Sequence, residues 1–153
     1  MQNHAEPTLR WLDFEQMSCQ TLYAVLKLRQ DVFMLEQQSL YADIDGNDES
    51  SLHLLLFREN KLCGYLRLLI TAQTAKLQRI VLSPDARGLG YGKILLNSAL
   101  RRVADCDDVT AVKLSAQVQA SAFYAQFGFA QSSEPYDDGG IMHIDMVRSN
   151  SAD

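Results

Sequence analysis

The stretch "LSPDARGLGYGKILL", residues 82–96, decides the reading of this chain. An apolar run ends at Ser83 and Pro84, Arg87 follows, and three of the protein's 8 glycines then fall on alternate positions, Gly88, Gly90 and Gly92. A strand that passes through a glycine loop into a helix leaves bare N–H groups at the helix N-terminus, where they and the helix dipole together bind anions. Glycine suits the loop because a side chain would hold phosphate oxygens away from the amides, and because such turns often need φ > 0. Arg87 and Lys93 place cations at its mouth. The glycines alone are equally compatible with a strand-to-helix turn that binds nothing. Two other phosphate motifs fail: a dinucleotide fingerprint requires Gly where Lys93 stands, and a P-loop requires Gly at Arg87 and Ser or Thr at Ile94.

Working outward, Ser18 is a plausible N-cap for a first helix with Leu22, Val25, Leu26, Val32 and Phe33 at helical spacing. Arg29 interrupts that stripe, and an Arg on an apolar face needs a carboxylate or carbonyl partner. Glu36, seven residues on, falls on nearly the same side if the helix continues, and is the expected partner. Residues 52–57, 61–70 and 76–83 read as strands, the first two joined by the turn "REN". After the glycine loop, Leu95, Leu96, Ala99, Leu100 and Val103 describe an amphipathic helix to about Ala104. A strand at 110–116, a short helix at 121–128 closed by Gly128, and a final strand at 141–148 complete the order. This alternation predicts an α/β sandwich with helices packed on a mixed sheet.

Composition narrows the function. With 153 residues and 47% hydrophobic content, the chain suits one domain, 1–153, that folds unaided. No run approaches the ~18 apolar residues of a membrane span, and the start lacks a leader pattern, so a cytoplasmic protein without membrane contact is expected. A net charge of −5 without a basic run argues against nucleic acid. Cys19, Cys63 and Cys106 are odd in number and far apart, which speaks against disulfides or a metal site. Acidic residues cluster at 42–50 and 133–140, either as solvated loops or as an acidic rim for a cationic substrate.

The order Arg-x-x-Gly-x-Gly (Arg87, Gly90, Gly92) resembles the pyrophosphate loop of the GNAT N-acetyltransferase family, and "FYAQFGF" (123–129) resembles its late aromatic and Gly-Phe hallmark. "LRQDVFMLEQ" (28–37), "YADIDGND" (41–48) and His53 are similar to the ElaA-type subgroup. The resemblance spans 18–148 and implies a mixed, mostly antiparallel sheet flanked by helices on both faces. It implies acetyl-CoA as cosubstrate and a primary amine, small-molecule or peptidyl, attacking the thioester directly. By the same resemblance, main-chain groups of Ile80, Val81 and Leu82 hold the pantetheine arm, and Arg87, Gly88, Leu89, Gly90, Tyr91, Gly92 and Lys93 hold the diphosphate. Gln117 stands where the family often has Asn and keeps an amide able to bond the pantetheine.

Tyr124 matches the family's general acid, the phenol that protonates the departing sulfur. Arg29, Glu36, Asp43, Asp45 and His53 are expected on the acceptor side. By residue type Glu36, Asp43, Asp45, His53 and His143 all qualify as a general base and none is singled out; the apolar surroundings of His53 favour a structural, hydrogen-bonded role, and His143, on one face of the final strand with Asp145, is read in the same way. The alternative from another class is a coenzyme A-binding sensor that transfers nothing. A homodimer is conceivable through pairing of the final strand.

Overall fold

A computed structural model describes residues 5–150. The strands are β1 (Thr8–Asp13), β2 (Leu52–Arg58), β3 (Lys61–Thr71), β4 (Thr74–Leu82), β5 (Ala111–Gln117), β6 (Ala130–Gln131), β7 (Tyr136–Asp138) and β8 (Ile141–Ser149). The helices are α1 (Cys19–Arg29), α2 (Tyr91–Ala104) and α3 (Ser121–Ala125). The strands form one sheet in the order β1-β2-β3-β4-β5-β8-β6, with β7 also on β8, and every pairing is antiparallel except β4 with β5.

Local chemistry accounts for the elements. Ser18 Oγ accepts the Thr21 N–H at 3.1 Å and starts α1. Glu59 and Asn60, both at positive φ, close the β2–β3 hairpin in the twist such two-residue turns favour. α1 runs on into a π-helical segment, Gln30–Glu36, whose wider turns rotate Glu36 away from the side that carries Arg29.

Alternation along the strands divides the core between two faces. Leu54, Leu56, Leu66, Leu68 and Leu77 pack under Leu95, Leu96, Ala99 and Val103 of α2, and Phe123 and Tyr124 of α3, with Phe127 just beyond it, join the same side. On the opposite face Leu55, Tyr65 and Val81 pack under Val25, Leu28 and Val32. α1 contacts β3 and β4, and among the described residues no α-helix packs over the half of this face built by β5 and β8.

β1 was not expected. Its six residues alternate without a turn residue to mark them, and its sheet partner among the described residues is β2, some forty residues away in sequence. β6 and β7, at two and three residues, are too short to show a period. The dimer route through the last strand needs correction: β8 pairs with β5 on one side and with β6 and β7 on the other, so it is an interior strand. Among the described residues no helix is long and apolar enough to cross a membrane.

Candidate active site

The central feature is a break in the ladder. β4 pairs with β5 only from Thr74–Ala111 to Leu77–Leu114, and beyond that the two strands part. A bulge in β4 accompanies the separation: between Tyr65–Val81 and Arg67–Gln78 the register slips, and Arg79 there adopts φ 55°. The main chain of Ile80, Val81 and Leu82 therefore has no strand beside it on the β5 side.

β4 leads through a short 3-10 turn, Pro84–Ala86, into the glycine loop. Gly88 and Gly90 have φ of 76° and 81°, and Gly90 is the N-cap of α2 without any side-chain cap. None of the backbone N–H groups from Gly88 to Lys93 has a partner among the described residues. These N–H groups open to solvent at a helix N-terminus, where they and the helix dipole together suit an anionic ligand. Gly92 has a different reason: a Cβ there would lie 3.2 Å from Phe123 Cζ, so this glycine lets α3 close on α2.

The parted strands, the loop and the open half-face form one cleft of about 1370 Å³. It reaches Ile80, Val81, Leu82, Arg87, Gly88, Gly90, Tyr91, Gly92, Lys93, Gln117 and Tyr124, eleven of the twelve positions expected for the acid and cofactor groups. Leu89 is the exception, its side chain pointing to solvent at 46% exposure. Tyr124 sits edge-on to Phe123 and Phe129, and burial pushes its phenol up to about 12. Its hydroxyl makes no hydrogen bond among the described residues. Gln117 donates from Nε2 to Gln37 Oε1 at 3.0 Å, tying the end of β5 to the end of the π-helical segment.

The expected acceptor-side group is dispersed. Arg29 does not reach Glu36. It is fully buried and donates to Asp43 Oδ2 at 3.0 Å and Asp48 Oδ1 at 2.8 Å. Arg67, also fully buried, holds Asp45 and Asp48, and Arg79 pairs with Asp43 and Asp45. Three arginines from α1, β3 and the β4 bulge thus neutralise three aspartates of the 37–51 loop. The 42–50 cluster is therefore neither a solvated loop nor an acidic rim.

His53 lies under the same network with Nδ1 2.6 Å from Tyr65 Oη and Nε2 2.8 Å from the Asp48 carbonyl. Burial, outweighing the bond to Asp48, holds its imidazole below the usual histidine range. Arg29, Asp43, Asp45 and His53 do not line this cleft: each has polar partners inside the protein, and Arg29 and Asp43 border a second, smaller cavity that shares Phe33, Ser39 and Tyr41 with it. Glu36 is also outside that lining: its carboxylate takes a two-pronged hydrogen bond from Arg87, at 2.8 and 2.6 Å, which pulls it below the ordinary carboxylate range.

The rest of the cleft is walled by residues to which the sequence assigns no role. Tyr41 lies under the Arg79 guanidinium, 5.0 Å from ring centroid to carbon. Tyr136 donates to Asp145 Oδ1 at 2.6 Å and receives the Ser115 hydroxyl. His143 stacks on Tyr136 and faces Gln117 across the β5–β8 pair. The alternation of β5 and β8, with Val112, Leu114, Ile144 and Met146 buried between them, was the available signal.

A parallel pair opening beside a glycine-capped helix is the arrangement that the resemblance to acyl-coenzyme A transferases implied. Residues 14–149 match the family model described as "Acetyltransferase (GNAT) domain", and the chain belongs to that family. Among curated relatives, protein ElaA of Escherichia coli is 33% identical over 147 residues, covering 92% of this chain and 96% of its own. A UPF0039 protein of Synechocystis is 35% identical over 145 residues, covering 90% and 92%. The crystal structure of E. coli ElaA superposes with a TM-score of 0.87 at 32% identity over 94% of this chain and 99% of its own. An acyl-CoA N-acyltransferase of Pseudomonas aeruginosa gives 0.87 at 34% with the same coverage. The fold is thus the mixed, mostly antiparallel GNAT sheet with helices on both faces, and the chain is a GNAT acyltransferase of the ElaA-like group.

Proposed function

We propose that this protein is an N-acetyltransferase that carries the acetyl group of acetyl-CoA to a primary amine of a small-molecule or peptidyl acceptor by direct attack within a ternary complex. The observation that supports it most is the opening of three features to one cleft: the loop amides, the unpaired stretch of β4 and the Tyr124 phenol. The diphosphate would take the N–H groups of Gly88 to Lys93, with Lys93 beside them. Arg87 contributes only by exchanging Glu36 for phosphate, since its charge is already matched. The pantetheine arm would complete the ladder that β4 abandons at Gln78, with Gln117 on the far bank. Main-chain donors fixed in this way can lower an acyl-transfer barrier by about 3 kcal/mol.

The environment of Tyr124 refines its role. A phenol pushed up to about 12 stays protonated at every working pH, and is too weak an acid to surrender its proton outright to a thiolate whose thiol ionises near ~8.5. It acts as a hydrogen-bond donor to the sulfur as the C–S bond breaks, and relays the proton that the new amide nitrogen sheds.

The test is release of coenzyme A thiol over a panel of amines and peptides. Turnover is expected, with Tyr124→Phe lowering kcat about 100-fold while calorimetric acetyl-CoA affinity is retained. Tight cofactor binding without turnover on any amine would instead identify a coenzyme A sensor.

A further inference from the structure

The geometry points to His143 as the general base that receives the acceptor's proton, an inference that rests on the reading above that an amine attacks the thioester. Five side chains qualify by type, and four are already committed. Asp43 and Asp45 are held by arginines, Glu36 by Arg87, and His53 has both ring nitrogens bonded in a fully buried site. His143 alone of the five lines the cleft.

Its hydrogen bond fixes its chemistry. Nδ1 lies 2.7 Å from the carbonyl oxygen of Ile141. A carbonyl only accepts, so Nδ1 carries the hydrogen and the lone pair of the neutral ring resides on Nε2. Nε2 has no partner among the described residues. Stacking against Tyr136, with 6.2 Å between centroids and 25° between planes, holds the ring in place. In the sheet His143 is directly opposite Gln117, the last residue of β5, at the end of the gap where β4 and β5 have parted. The titratable and charged groups that share this part of the cleft are Tyr136 and Asp138 of β7, Asp145 of β8 and Lys113 of β5.

The step balances. An acceptor ammonium passes one proton to Nε2, giving imidazolium and a neutral amine. The amine lone pair forms the C–N bond, the C–S bond breaks, and the second proton leaves the nitrogen for the sulfur by way of Tyr124. Imidazolium then returns its proton to water, so the products are the amide, free coenzyme A and one proton.

The experiment compares His143→Gln with the native protein on two probes, a peptide offering only an α-amine and one offering only a lysyl ε-amine, which ionise near ~8 and ~10.4. The ε-amine arrives charged and needs the base. Its kcat/KM at pH 7.5 is expected to fall at least about 100-fold, and its pH profile to follow the ionisation of the amine itself, still rising toward ~10.4. The α-amine deficit should shrink below about 10-fold by pH 9, because that amine then arrives neutral, and acetyl-CoA affinity by calorimetry should be unchanged. An equal deficit on both probes at every pH, or an unaltered profile, would overturn the role of His143 while leaving the acetyltransferase reading intact. Absence of turnover by the native protein on either probe and on the full amine panel would overturn that reading and this inference with it.

Discussion

Two histidines on the same face of the same sheet have opposite circumstances. His53 of β2 is fully buried beneath three arginines and three aspartates, with one ring nitrogen on Tyr65 and the other on a carbonyl. His143 of β8 is half-buried in the cleft, with one nitrogen bound to its own strand and the other without a partner among the described residues. The difference is coverage: α1 and the 37–51 loop lie over the β2–β4 half, and nothing comparable lies over β5 and β8. Availability for chemistry therefore follows from unmet hydrogen-bonding capacity rather than from residue type.

The comparison can be broken most forcefully at Asp48, which bridges Arg29 and Arg67. Asp48→Ala leaves two fully buried guanidinium groups short of a partner and is expected to cost about 3–5 kcal/mol of stability by denaturant unfolding. A cost below 1 kcal/mol would mean that the network is dispensable. Next, His53→Leu strands the Tyr65 hydroxyl and the Asp48 carbonyl and should cost about 2 kcal/mol at pH 8, whereas His143→Gln should stay within about 0.5 kcal/mol. Equal costs at the two histidines would erase the contrast.

Acid titration sharpens it further. Because the folded state lowers the His53 pKa, the unfolded chain binds the extra proton first, so this contribution is complete above ~6.5 and is lost as pH falls below that value. The loss is on the order of 1 kcal/mol per pH unit, and it should vanish in His53→Leu. A second loss should begin below ~4 in both proteins. Burial alone would raise the Asp45 and Asp48 carboxyls, but their arginine partners outweigh it and hold both below the ordinary range. Chemical denaturation across pH 3–8 distinguishes the two phases. The smallest effect belongs to the open half: Tyr136→Phe removes bonds to Ser115 and Asp145 at a solvated site and should change stability by about 0.5 kcal/mol or less. A change several times larger would show that this half is as structurally committed as the other.

Much of the candidate site's lining was legible before the fold. The glycine loop, Tyr124 and Gln117 were read from short motifs, because a strand, a tight turn and a helix in succession bring such residues together over a few positions. The acceptor side was not. Arg29 was assigned to Glu36 by helical spacing, which fails where the helix widens at Gln30–Glu36. The true partners, Asp43 and Asp48, come from a loop that no local period describes. Gly92 resembled a phosphate-loop glycine, yet it makes room for Phe123, some thirty residues further on.

The amino-acid sequence by itself determined the family, the order of most strands and helices and the glycine turn into α2, since each rests on residues adjacent in the chain. Only the tertiary structure decided which polar side chains are spent in ion pairs and which face the cleft. That choice depends on the Asp43–Asp48 loop closing over β2–β4, and on β5 and β8 meeting with their outer face uncovered. Both are contacts between distant segments, whose pairing the hydrophobic pattern permits but does not specify.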